Sequence, residues 1–180
     1  MAATVVLDLR DLESGIPALT QSLGRVHAEA AAVCLDDRGH REPVGLVVRK
    51  VDDPHYSLRW PDVSQKMQRA YNDLERATEL GACGVALLLI RQLTGLKAIQ
   101  VAKKGGGFDY WLASGSDEEQ YVFANEARLE VSGILSGTDS QFLARVRQKV
   151  KQLAPSDGTG LAAYAVVVEF GKPQAEVAKR

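Results

Sequence analysis

An apolar run inside a long helical stretch constrains this chain more than any other feature. Residues 82–90, ACGVALLLI, are too apolar all round for a helix that buries one face only, so the helix containing them must be packed on more than one side. The flanking pattern predicts that helix over about 62–93. Asp62 or Ser64 is placed to cap it, Gln65 follows Asp62 at the spacing of a capping box, and Gly95 stands just past its end. The main stripe, Met67, Ala70, Tyr71, Leu74, Ala77, Gly81, Val85 and Leu88, recurs at intervals of three and four. Beside it run Glu75, Glu79, Ala82, Ala86 and Leu89. Two carboxylates therefore sit one turn apart on a face that becomes apolar toward the C-terminus, with Glu79 at the edge of burial.

The layers that would cover such a helix are legible on both sides of it. Residues 4–9 are β-branched, 16–34 are Ala-rich and helical in character, and 44–49 and 56–60 flank the turn-forming Asp52-Asp53-Pro54, so residues 1–61 read as a βαββ unit. After the long helix, 97–102 and 108–113 alternate around Gly105-Gly106-Gly107 as a hairpin should, and 121–124 and 127–134 supply further strand. Within 127–134, Ala127, Leu129 and Val131 face one way and Arg128, Glu130 and Ser132 the other. Asp139 or Ser140 is placed to cap a second helix with Phe142, Leu143, Val146, Val150 and Leu153 on its apolar side and Arg145, Arg147, Lys149 and Lys151 on the rest. The Val-rich segment 161–170 lacks alternation, as a strand covered on both faces does, and 172–180 reads as a polar tail. The fold class is α/β (mixed α+β): a central mixed sheet flanked by helices, with 62–171 as a core behind the N-terminal unit.

Charge narrows the partners. With 22 Lys plus Arg against 23 Asp plus Glu, net charge −1, the field of the whole molecule gives no global attraction to phosphate backbones or anionic lipid, so any nucleic-acid contact must be local. Asp8 and Arg10 interrupt what a secretory signal would keep apolar, which points to the cytoplasm and away from the membrane. Cys34 and Cys83 have neither CxxC nor CxxxH spacing and read as buried reduced thiols. His27, His40 and His55 fall in separate elements without metal spacing. Ser132-Gly133 lacks the preceding glycine of a nucleophile elbow, and Gly105 to Gly107 lacks the GK[ST] ending of a phosphate-binding loop.

From residue 62 the order is helix, hairpin, strand, helix, strand, with Glu79 on the helix, Asp109 in the hairpin's second strand and Glu130 in the next strand. With the stretches ERATELGACGVALLL, KKGGGFDYWL and RLEVSG, the chain resembles the PD-(D/E)XK, restriction-endonuclease-like nuclease superfamily, including its archaeal Holliday-junction resolvases. The resemblance covers about residues 62–170. It implies a restriction-endonuclease-like core in which a helix glutamate, a Gly-preceded aspartate and an E-x-K strand meet at one metal site. Carried over, Asp109 and Glu130 become ligands of Mg²⁺ or Mn²⁺ and Glu79 assists. The family's lysine is expected two residues after Glu130, where this chain has Ser132. A lysine from another element, Lys149 or Lys151 on the following helix or Lys104 before the glycine turn, would have to replace it.

Two functions follow as expectations. One is a metal-dependent phosphodiesterase acting on DNA or RNA, touching nucleic acid through the basic face Arg145, Arg147, Lys149 and Lys151. The other, favoured by Ser132 and the near-neutral charge, is a catalytically silent nuclease-like binding module with a protein partner in a defence or DNA-processing assembly. On the plainest reading of single residues, Glu79 pairs with Arg76 or Lys97, Glu130 pairs with Arg128 across a surface ladder, and the basic helix face is merely solvated.

Overall fold

Eight strands form one mixed sheet in the computed structural model of the chain, which describes residues 3–52, 54–115 and 125–180. In chain order the elements are β1 (Thr4–Asp8), α1 (Gln21–Asp37), β2 (Val44–Arg49), β3 (His55–Arg59), α2 (Gln65–Ala70), α3 (Leu74–Thr94), β4 (Lys97–Val101), β5 (Tyr110–Ala113), β6 (Ala127–Ile134), α4 (Asp139–Gln152), β7 (Ala162–Glu169) and β8 (Gln174–Lys179). Across the sheet they lie in the order β1-β3-β2-β8-β7-β6-β5-β4. The N-terminal βαββ unit is present, and its strands continue the same sheet through the parallel pairing of β2 with β8. The hairpin of β4 and β5 and the parallel crossover β6-α4-β7 form the other half. The mixed α/β class read from the sequence is therefore the observed one.

The apolar run behaves as its composition requires. α3 packs against α1 on one side and against β6 and β7 on the other, so Ala82, Val85, Ala86 and Leu87 through Ile90 are all buried. By length and hydropathy α3 could cross a membrane, but 61% of that window is buried inside the protein, as in a core helix. Contact with α1 is made possible by Gly81, where a Cβ would stand 2.7 Å from Ala31 Cα and 2.8 Å from Ala31 N. Both obstacles are backbone and cannot rotate away. Gly81→Ala should therefore push the helices apart and cost about 3 kcal/mol, read as a lower urea midpoint at unchanged m-value; an unchanged midpoint would mean that the α1–α3 contact is looser than described.

Three expectations are corrected. The long helix is broken at residues 71–73, because the Asp73 carboxylate accepts from Glu75 N (3.1 Å) and Arg76 N (3.2 Å) and so starts α3 afresh, while Ser64 caps α2. Thr138 caps α4, in place of Asp139 or Ser140, through a capping box with Gln141. The polar tail is β8, an inner strand between β7 and β2. Gln174 and Glu176 on it are buried and reached from neighbouring strands: Gln174 accepts from Arg49 Nε at 2.6 Å and donates to Glu169, and Glu176 Oε1 accepts from Lys50 Nζ at 2.5 Å. The expected strand at 121–124 lies outside the described residues.

The opposite face of the sheet is covered by α4. Phe142 and Val146 pack on Val167, and Leu153 packs with Ala163 and Ala165. The helix layers thus lie on the two faces, with α1 and α3 on one and α4 on the other.

Candidate active site

The site lies where β6 outruns β5. Their antiparallel pairing covers only Tyr110 to Leu112 against Ala127 to Leu129, so from Glu130 onward the β5 side of β6 is open. Asp109, just before β5, donates its backbone N–H to Leu129 O (2.8 Å), one residue out of step with the ladder that pairs Tyr110 with Leu129, so the edge bulges there. The Asp109 carboxyl nonetheless lies close enough to that of Glu130 to act on it directly. Asp109 then curls round the open edge, and its Oδ2 accepts from Val131 N at 2.8 Å. A side chain thus occupies the ladder position that β5 leaves vacant.

On the other face α3 approaches unusually closely, because Gly133 carries no side chain: a Cβ there would lie 2.5 Å from Thr78 O. The two helices and the open strand edge enclose a cleft of about 850 Å³. Glu75, Glu79 and Cys83 line it from α3, Asp109, Glu130 and Ser132 from the sheet, and Arg145, Lys149 and Gln152 from α4. Spacing explains the last three: residues four and three apart lie on one helix stripe.

Glu130 is the centre of this arrangement. It is 3% exposed, and its Oε1 accepts from Lys149 Nζ at 2.6 Å and from Gln152 Nε2 at 2.9 Å. Burial pushes its carboxyl up to about 7; the hydrogen bond from Lys149 opposes that shift, and the adjacent Asp109 carboxylate adds to it. Ser132 Oγ accepts from Arg145 Nη1 at 2.9 Å. Burial also pushes the Cys83 thiol up to about 12, reinforced by the nearby Asp109, Glu130 and Glu79 charges and opposed by a hydrogen bond with Tyr110, so it is no thiolate nucleophile at neutral pH.

The raised Glu130 carboxyl makes a prediction about stability. Below its ordinary value of 4.5 the group is protonated in both the folded and the unfolded chain. As pH rises toward 7 the unfolded chain releases the proton first, so the stability contributed by the folded proton is lost, with a slope of at most about 1.4 kcal/mol per pH unit. Urea unfolding at a series of pH values should show this slope in the wild type and a flatter one in Glu130→Gln. Equal slopes would mean that Glu130 titrates normally.

The residues anticipated from sequence divide clearly. Glu79, Asp109, Glu130 and Lys149 line one cleft, with Glu79 exposed on its α3 wall. Lys151 and Arg147 are exposed and line no part of that cleft. Glu130 is not paired with Arg128, which is 2% exposed and donates instead to Leu153 O (3.3 Å), Leu161 O (2.9 Å) and Ser156 Oγ, fixing the turn between α4 and β7. Among the described residues Glu79 pairs with neither Arg76 nor Lys97. Gln152 and the Arg145–Ser132 bond were not anticipated, although the 145/149/152 spacing was there to be used. Among the described residues no three His, Cys, Asp or Glu side chains group as metal ligands. Comparisons with protein-family models, curated proteins and solved structures returned no significant match to the chain.

Proposed function

We propose that the chain is a metal-dependent phosphodiesterase of nuclease type, acting on DNA or RNA and built on a restriction-endonuclease-like core. The observation that carries this is the pair Asp109 and Glu130, adjacent at the open edge of β6, with Lys149 Nζ 2.6 Å from Glu130 Oε1. The core is supported by five consecutive neighbours in the sheet, β4-β5-β6-β7-β8, with α3 before them and α4 bridging the parallel pair β6 and β7. Two unpaired thiols suit a reducing, cytoplasmic setting.

The donor set fits a hard cation. Mg²⁺ prefers oxygen, keeps several waters and is usually held by one or two carboxylates plus substrate phosphate, which the Asp109 and Glu130 pair supplies. When bound there, such an ion, Mg²⁺ or Mn²⁺, polarises the phosphate and makes attacking water more acidic.

The remaining roles belong to the chain. The Val131 N–H holds Asp109 in one orientation, and the Gln152 amide does the same for Glu130. Lys149 brings from α4 the positive charge that Ser132 lacks, beside the carboxylate pair, where it opposes the negative charge that grows on the phosphate oxygens. Glu79, exposed on the opposite wall, accepts the proton from attacking water.

The test is a panel of single-stranded, duplex and branched DNA and RNA with Mg²⁺ or Mn²⁺. Nicking of at least one substrate that stops in EDTA is expected. No cleavage of any substrate would favour the second reading, a silent nuclease-like module for protein contact, for which the specific observation is that Lys149 and Gln152 both occupy Glu130 Oε1 and Arg145 is spent on Ser132.

A further inference from the structure

A second cleft, about 390 Å³, adjoins the first, and Cys83, Asp109, Glu130 and Gln152 line both. The carboxylate pair therefore lies partway along a continuous trough and not at the bottom of a closed pit. Arg145 and Lys149 stand on one side of that shared floor, and Lys103 and Lys104, at the start of the glycine turn, stand on the other.

Several cations of this surface are already spent on the chain's own carboxylates. Arg10, Arg25, Arg38, Arg59, Lys172 and Arg180 are all engaged with carboxylates. Lys103 and Lys104 are exposed and have no ion-pair partner among the described residues. Their backbone is nevertheless held in place. Ala102 N donates to Asp109 O at 2.7 Å, and Gly106 N to Lys103 O at 3.4 Å. Gly107, at φ +78°, lies so close to the end of α4 that a Cβ would stand 2.9 Å from Gln152 O. The held backbone thus sets two adjacent, exposed lysines at the edge of the acidic floor, with no ion pair to the described residues.

We propose that Lys103 and Lys104 form a second phosphate-contacting patch, so that a bound strand runs the length of the trough with phosphates held on both sides of the one at Asp109 and Glu130. The substrate is then a stretch of strand several nucleotides long, with phosphates engaged on either side of the one at the carboxylate pair. This rests on the phosphodiesterase reading above. Lys104 becomes a binding residue, leaving the catalytic charge to Lys149.

Fluorescence anisotropy with a labelled 20-nucleotide single strand and its duplex, titrated in EDTA over a range of salt, separates the outcomes. Lys103→Ala/Lys104→Ala should bind more weakly and lose two counterion-releasing contacts. Its slope of log affinity against log salt should be shallower by about 1.4 for the single strand or about 1.8 for the duplex. A thymidine dinucleotide with one phosphate should compete poorly with the labelled strand. In Mn²⁺ the double variant should cleave with raised KM and unchanged kcat. Cleavage by the wild type together with unchanged affinity and slope in the double variant would overturn the second patch alone. A wild type that neither binds nor cleaves any strand would overturn the phosphodiesterase reading with it.

Discussion

Glu130→Gln should lower the cleavage rate by at least about 10³-fold while leaving the fold intact, and Asp109→Asn should do the same. Glutamine keeps the shape of Glu130 and can still meet Lys149 and Gln152, whose donors reach the same Oε1 at 2.6 and 2.9 Å. What it loses is the negative charge that a cation requires. Lys149→Ala should fall by about 10² to 10³-fold, because the ammonium opposes charge that builds up only in the transition state. Lys151→Ala, on an exposed part of α4 away from the cleft, should retain the wild-type kcat. Single-turnover cleavage with strand in excess of its dissociation constant measures these differences free of binding. Full activity in Glu130→Gln would remove Glu130 from the chemistry and with it the proposed centre.

The second large effect concerns stability. Glu176 is 1% exposed on β8, its Oε1 accepts from Lys50 Nζ at 2.5 Å, and its Oε2 is buried without a partner among the described residues. A buried carboxylate deprived of its single cation is costly, so Lys50→Met should destabilise the chain by about 3 kcal/mol. Methionine keeps a non-glycine residue at the left-handed backbone position of Lys50, φ +64°, so the backbone contribution cancels. Adding Glu176→Gln to Lys50→Met should restore most of the loss, since the uncompensated charge then disappears. Urea unfolding of the two single variants and the double variant tests this. A double variant no more stable than Lys50→Met would show that the Lys50 stem, and not the charge pairing, matters.

What could be read from sequence followed from local physics. The ALLLI run announced a helix covered on two sides, and alternation around three glycines announced the β4–β5 hairpin, because both patterns are set by what each element buries. β8 was not legible: Gln174 and Glu176 look like a solvated tail until Arg49 and Lys50, more than a hundred residues earlier, are brought beside them. The break before α3 was missed because the stripe of Met67, Tyr71 and Leu74 continues through it, while the local carboxylate of Asp73 prevails over the pattern.

In the site the same division holds. Asp109, Glu130 and Glu79 were named from their order along the chain. Lys149 and Lys151, two residues apart on α4, point to different sides of the helix, and only Lys149 turns toward the cleft. Arg128, at alternation spacing, looks solvated in the sequence, whereas the turn after α4 folds over it and supplies carbonyl acceptors.

The central claim is that Asp109 and Glu130 together hold a divalent cation for phosphodiester cleavage. Calorimetric titration of the wild type and of Asp109→Asn with Mn²⁺ tests it most directly. The account predicts uptake of a cation by the wild type that is lost in Asp109→Asn, with both proteins unfolding as intact folds. Absence of uptake by the wild type, or equal uptake by the variant, would contradict it.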